Sequence, residues 1–179
     1  MTVLPVRLFG DPALTQPATP VTDFDRELHK LVRDLHETLD DQQGAGLAAP
    51  QLGILRRVFV FHMGEHRGHL VNPTLRFPDE QEQDGPEGCL SIPGLYFDAK
   101  RRLNVVAKGW TMHGDPLQIV GAGDLARCLQ HETDHLDGVL FIDRMDPTRR
   151  RAALRAIRSA DWHTPPTVKL SPHTGFWQR

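Results

Sequence analysis

An α+β domain is the fold class the sequence predicts, and three observations predict it. Apolar residues recur at helical spacing in separate stretches; runs rich in β-branched and aromatic residues lie apart from those stretches; and short glycine-containing turns join the runs as antiparallel neighbours. At 179 residues the chain fits one domain, long enough to bury a core without disulfide or metal staples.

The first element is predicted as a helix over about 23–42, because Leu28, Leu31, Val32, Leu35 and Leu39 fall on one face and Thr22 or Asp23 can cap its start. Gly44 and Gly46 end it. The segment Gly44-Ala45-Gly46-Leu47-Ala48-Ala49-Pro50-Gln51 is too rich in small residues for an ordinary helix or strand and reads as backbone that must approach something closely. Strands are predicted over 57–62 and 69–77, and the acidic, polar stretch 77–86 is predicted as a loop. A further strand is predicted over 103–112, then a hairpin turn at Gly114-Asp115 and a strand over 117–120. A second helix follows over about 124–136, stopped by Gly138. Pro147 opens a third helix to about Ala160, after which a Pro-rich tail, 163–179, is expected to be poorly ordered and to lie outside the catalytic domain, 1–162.

Composition narrows the function. A formal net charge of −2 gives no reason to expect a DNA binder, which needs clustered excess Lys and Arg. No apolar stretch approaches the roughly 18 residues of a membrane span, and the N-terminus has no signal-peptide pattern. Two cysteines, Cys89 and Cys128, make no disulfide framework, so a reducing, cytoplasmic location is expected.

The chemistry is concentrated in His131-Glu132-Thr133-Asp134-His135, inside the second helix. Residues four apart share a helix face, so His131 and His135 can turn imidazole nitrogens toward one ion, while Glu132 beside them reaches a water at that ion without binding the metal. Two histidines that merely pack in the core are the ordinary alternative, and the intervening glutamate argues against it. A catalytic site of this kind commonly has three protein ligands plus water. Cys89, Cys128, a distant histidine or a carboxylate can supply the third. Cys128 lies among Leu125 and Leu129, where a free cysteine packs as a small hydrophobe; Cys89 has a glycine neighbour and is modestly favoured.

Three separated segments resemble motifs of the peptide deformylase family: the glycine-rich 44–51 segment, Glu87-Gly88-Cys89-Leu90-Ser91, and Gln130-His131-Glu132-Thr133-Asp134-His135-Leu136-Asp137-Gly138. The resemblance implies antiparallel sheets packed around a central helix that carries the His-Glu-x-x-His motif, with a C-terminal helix. It implies Cys89, His131 and His135 as metal ligands and Glu132 as the group that moves the proton. It further implies Gln51 and the backbone N–H of Leu90 as donors to the reacting oxygen, and Gly46, Glu87 and Arg101 around the substrate. The implied reaction is hydrolysis of the N-formyl group from the initiator methionine of nascent polypeptides. The implied cofactor is one divalent ion, Fe2+, with Zn2+, Ni2+ or Co2+ as replacements, whereas ligand softness alone points to zinc.

Some positions fit that pattern less closely. Arg127, one turn before His131, and Asp124 read as a rim ion pair or helix-start charge, or else as a more polar pocket mouth; Ala45 is small for a pocket wall. Arg149, Arg150, Arg151, Arg155 and Arg158 make the last helix basic, which is by default a solvated face and otherwise a contact to ribosomal RNA. A zinc peptidase remains the main rival, since it shares the helix motif but takes a histidine or carboxylate as third ligand. A purely structural metal site is the second, and such sites are usually closed by four protein ligands.

Overall fold

A computed structural model of the protein describes residues 2–163. The Pro-rich tail beyond His163 lies outside the described residues.

Helix α1, Arg26–Gln42, begins at Asp25, whose carboxylate accepts from the N–H groups of Glu27 and Leu28. The cap is therefore two or three residues later than the sequence predicts. Thr22 and Asp23 are excluded because only Asp25 stands one residue before the first helical turn, where its oxygen can reach those amides. Gln43, in the left-handed region at φ 52°, closes the helix, and Leu28, Leu31, Val32, Leu35 and Leu39 form its buried face.

Seven strands follow. β1 (Gly46–Ala48), β2 (Val58–Met63), β3 (His66–Arg76), β6 (Asn104–Trp110) and β7 (Pro116–Ala122) make a five-stranded antiparallel sheet in the order β1-β2-β3-β6-β7. β4 (Glu82–Cys89) and β5 (Ile92–Arg102) make a separate antiparallel pair. Part of the small-residue segment is thus a short strand after all, continued by a 3-10 turn over Ala49–Leu52. The predicted loop over 77–86 is corrected as well, because its second half opens β4. β4 escapes the usual alternation signal: Glu82, Asp84 and Pro86 lie on an exposed face, and Gly85 and Gly88 interrupt its apolar pattern.

Helix α2, Gly123–Leu136, packs against strands of the large sheet and against β5, with eleven of its residues, Ala126 to Leu136, buried. That is the central helix the resemblance implies. Gly138, at φ 71°, turns the chain away beneath it; a Cβ there would lie 2.9 Å from main-chain carbons of Thr15 and Gln16. Helix α3, Pro147–Arg158, capped by Asp146, lies on β5 and buries Ala153 and Ile157. No helix among the described residues is long and apolar enough to cross a membrane.

Candidate metal centre

α2 brings His131 and His135 onto one face, and the irregular end of β4 brings Cys89 beneath them. The ligand atoms of these three side chains lie within 4.8 Å of one another, and no other group of three His, Cys, Asp or Glu does so among the described residues. Cys89 Sγ stands 3.2 Å from His135 Nε2. His131 donates from Nδ1 to Glu87 Oε1 at 2.7 Å, which leaves Nε2 with its lone pair. One thiolate and two imidazole nitrogens, converging without a fourth His, Cys, Asp or Glu donor among the described residues, fit a divalent ion with an open coordination position.

Glu132, the residue between the ligands, is buried, and its Oε2 has no hydrogen-bond partner among the described residues. Burial pushes its carboxyl up to about 7, the range suited to passing protons near neutrality. Its side chain lies where a Cβ on Gly46 would stand.

Gln51 reaches the same place from the 3-10 turn. Its Oε1 accepts from the N–H of Ala48 at 2.8 Å, which fixes the amide so that Nε2 points at Ser91 Oγ, 3.2 Å away, with Cys89 Sγ at 3.7 Å. Leu90 sits in the turn joining β4 to β5, directly after Cys89. Gly46, Gln51, Glu87, Cys89, Leu90, His131 and Glu132 all line one cleft of about 640 Å³. His135 and Arg101 do not line it.

Glu87 is the hub of a buried charge network. Oε1 accepts from His131 and from Arg101 Nη2 at 2.6 Å; Oε2 accepts from Arg101 Nε at 3.0 Å and Arg127 Nη1 at 2.8 Å. Burial alone would raise its pKa, but the hydrogen bonds from His131 and Arg101 outweigh that and hold the carboxyl well below the usual carboxylate range. Arg101 also donates to Asp134 at 2.6 Å, and Asp134 receives Arg144 on its other oxygen at 2.6 Å.

Arg127 corrects the sequence reading. It is buried rather than a solvated rim charge: it lines the cleft together with Asp124, and donates from Nη1 to Glu87 and to the carbonyl of Ala99, both at 2.8 Å. Sequence reasoning also misses Tyr96, whose exposed ring lies across Gly88 at the edge of the cleft. Its position on β5, a strand not predicted, hides it. Cys128 packs in the apolar cluster under α2, as expected.

A Cys-His-His set around a helix-borne glutamate defines a metal-dependent hydrolase. Residues 3–151 match the family model described as Polypeptide deformylase. Among curated relatives, a peptide deformylase of Acidothermus cellulolyticus is 58% identical over 97% of this chain and 96% of its own length. One from a Parafrankia species is 54% identical over 98% of both. Among solved structures, peptide deformylase from Thermus thermophilus superposes with a TM-score of 0.82 at 39% identity, covering 87% of this chain and 93% of that one. The Ehrlichia chaffeensis enzyme in complex with actinonin gives 0.82 at 32% identity, over 88% and 97%. The chain belongs to the peptide deformylase family. Its activity is the metal-dependent hydrolysis of the N-formyl group from the N-terminal methionine of newly synthesised polypeptides, releasing formate.

Proposed function

We propose that Cys89, His131 and His135 hold the catalytic ion and that Glu132 is the proton-transfer residue. The observation that carries this is the convergence of the three ligand atoms beside a buried, unpartnered carboxylate. When bound, a divalent ion lowers the pKa of water toward ~7 and polarises the formyl oxygen. Glu132 takes a proton from the attacking water and returns it to the amine nitrogen as the C–N bond breaks. The Gln51 amide and the Leu90 N–H are offered to the oxygen on which negative charge grows, one such donor being worth about 3 to 4 kcal/mol of barrier.

We assign Gly46 to the substrate main chain, since its backbone borders the cleft without a side chain in the way. Glu87 and Arg101 act on the substrate at one remove: their hydrogen-bonding atoms are directed at His131, Asp134 and each other, so they set the orientation of the ligand histidine.

Fe2+ is the ion we assign, on the family resemblance and against the zinc preference of a thiolate-containing set. The experiment is anaerobic purification with metal analysis, followed by formate release from a formyl-Met peptide. Iron at one equivalent per chain with turnover, and retained metal without turnover in Glu132→Ala, support the reading. Full activity in Cys89→Ser would remove it in favour of a peptidase-like third ligand.

The cytoplasm is the location that fits this substrate. A second reading concerns α3, where all five arginines are exposed; Arg149 is paired with Asp84 and Arg150 with Asp143, which leaves Arg151, Arg155 and Arg158 outside those ion pairs. We propose that Arg151, Arg155 and Arg158 touch ribosomal RNA. Binding to ribosomes that weakens steeply with salt and is lost in the triple Arg→Ala variant supports this; salt-independent binding refutes it.

A further inference from the structure

Away from the cleft, where α1 meets the turn between β6 and β7, two imidazoles stand together. The rings of His29 and His113 are 4.7 Å apart with an interplanar angle of 73°. The ligand pair of the metal centre, His131 and His135, has nearly the same arrangement, 4.9 Å and 75°.

The tautomer of His29 is fixed. Its Nε2 lies 2.8 Å from the carbonyl oxygen of Met112, which can only accept, so Nε2 carries the proton and Nδ1 keeps its lone pair. A metal-ligating histidine is commonly oriented in this way, its second N–H given to a backbone carbonyl. Met112 is held from its other side too, its N–H donating to His69 Nε2 at 2.9 Å. The residue before His113 is thus clamped between α1 and β3, which holds the main chain that carries His113 beside His29. His113 is exposed and His29 half-buried, so solvent reaches both. No third His, Cys, Asp or Glu completes a cluster here among the described residues, which leaves the remaining positions to water.

We propose that His29 and His113 form a second, solvent-facing site for a borderline divalent cation such as Ni2+, Cu2+ or Zn2+, independent of the catalytic centre. Imidazole nitrogens suit these ions, and Fe2+ stands well below them in affinity order. An ion there ties α1 to the β6–β7 hairpin.

The test is titration of Ni2+ into the full chain already carrying one equivalent at the catalytic centre, followed by calorimetry and by thermal unfolding. The wild-type chain takes up a second equivalent and its unfolding midpoint rises. His113→Gln, an exposed substitution, weakens the second equivalent by about tenfold or more, since even loss of a group supporting a ligand costs that much; the rise in midpoint disappears and formate release is unchanged. Cys89→Ser shows the opposite pattern, losing the catalytic ion and keeping the second. That keeps failure here distinct from failure of the catalytic assignment. A single equivalent in the wild-type chain, or a second one that survives unweakened in His113→Gln, overturns the proposal.

Discussion

The side chain of Glu132 fills the space that a side chain on Gly46 would need. A Cβ built at Gly46 lies 2.7 Å from Glu132 Cδ and 2.8 Å from its Cγ, closer than real Cβ contacts come. The glycine of β1 and the glutamate of α2 are therefore a matched pair. Gly46→Ala is expected to displace the carboxylate and lower kcat/KM for a formyl-Met peptide on the order of 100-fold, the effect of misplacing a catalytic group by about 1 Å. Metal content should not change. Undiminished turnover in this variant would show that the glutamate has room to spare.

Glu87→Gln keeps the shape of the hub and removes its charge. Arg101 and Arg127 then lose their shared carboxylate in a buried setting, a situation that costs about 3–5 kcal/mol. Denaturant unfolding at neutral pH is expected to show a loss in that range, and metal affinity is expected to fall by about 10- to 100-fold as His131 loses its orienting partner. A stability loss below about 1 kcal/mol would mean that Asp134 and the Ala99 carbonyl suffice for the two arginines.

Asn72 sits in the left-handed region, at φ 49°, where the register of β3 with β6 shifts. Its side-chain amide accepts from the N–H of Val21 and donates to the Val21 carbonyl, both at 2.8 Å. Asn72→Ala removes two hydrogen bonds and leaves a poorly tolerated backbone conformation, so a loss of about 2–4 kcal/mol is expected. Asn72→Gly restores the backbone freedom and should recover part of it. Equal unfolding midpoints for the two variants would show that the conformation itself is without cost.

Two histidines on the α1 side of the large sheet make the fold acid-sensitive. Burial, assisted by Arg67, lowers the pKa of His36 to about 4, and burial with His113 lowers that of His69. The folded state therefore prefers both rings neutral, while the unfolded chain protonates near the ordinary value of about 6.5. Stability from this source is complete above that pH and declines as the pH falls toward 4. Urea midpoints at pH 7 and pH 4.5 are expected to differ less in His36→Gln than in the wild-type chain; an unchanged difference would place the acid sensitivity elsewhere.

Much of the catalytic geometry is readable from local spacing. His131 and His135 are one helical turn apart, and nothing in tertiary structure is needed to see that they share a face. Cys89 differs, because its nearness to them depends on how the β4–β5 pair folds over α2, and residue chemistry alone separates it only weakly from Cys128. β4 is hidden for a physical reason. The inward positions of β4 are Gln83, Gly85 and Glu87, so that strand shows no apolar alternation, whereas β5 does alternate, with Leu95, Phe97 and Ala99 turned toward the core beneath α3. Arg127 is easily misjudged because an arginine in a helix is ordinarily solvated. Its partner Glu87 lies on another element, and no local pattern announces a buried pair of that kind.

β1 is the edge of the five-stranded sheet: one side pairs with β2, and the chain beside it at Ala45 and Gly46 borders the cleft. A strand edge offers main-chain N–H and C=O groups, which every polypeptide can meet with its own, whatever its side chains. Recognition of that sort is indifferent to message. For an enzyme that receives each new protein by its first residue, ignorance of the rest of the text is what lets a single cleft serve a whole proteome.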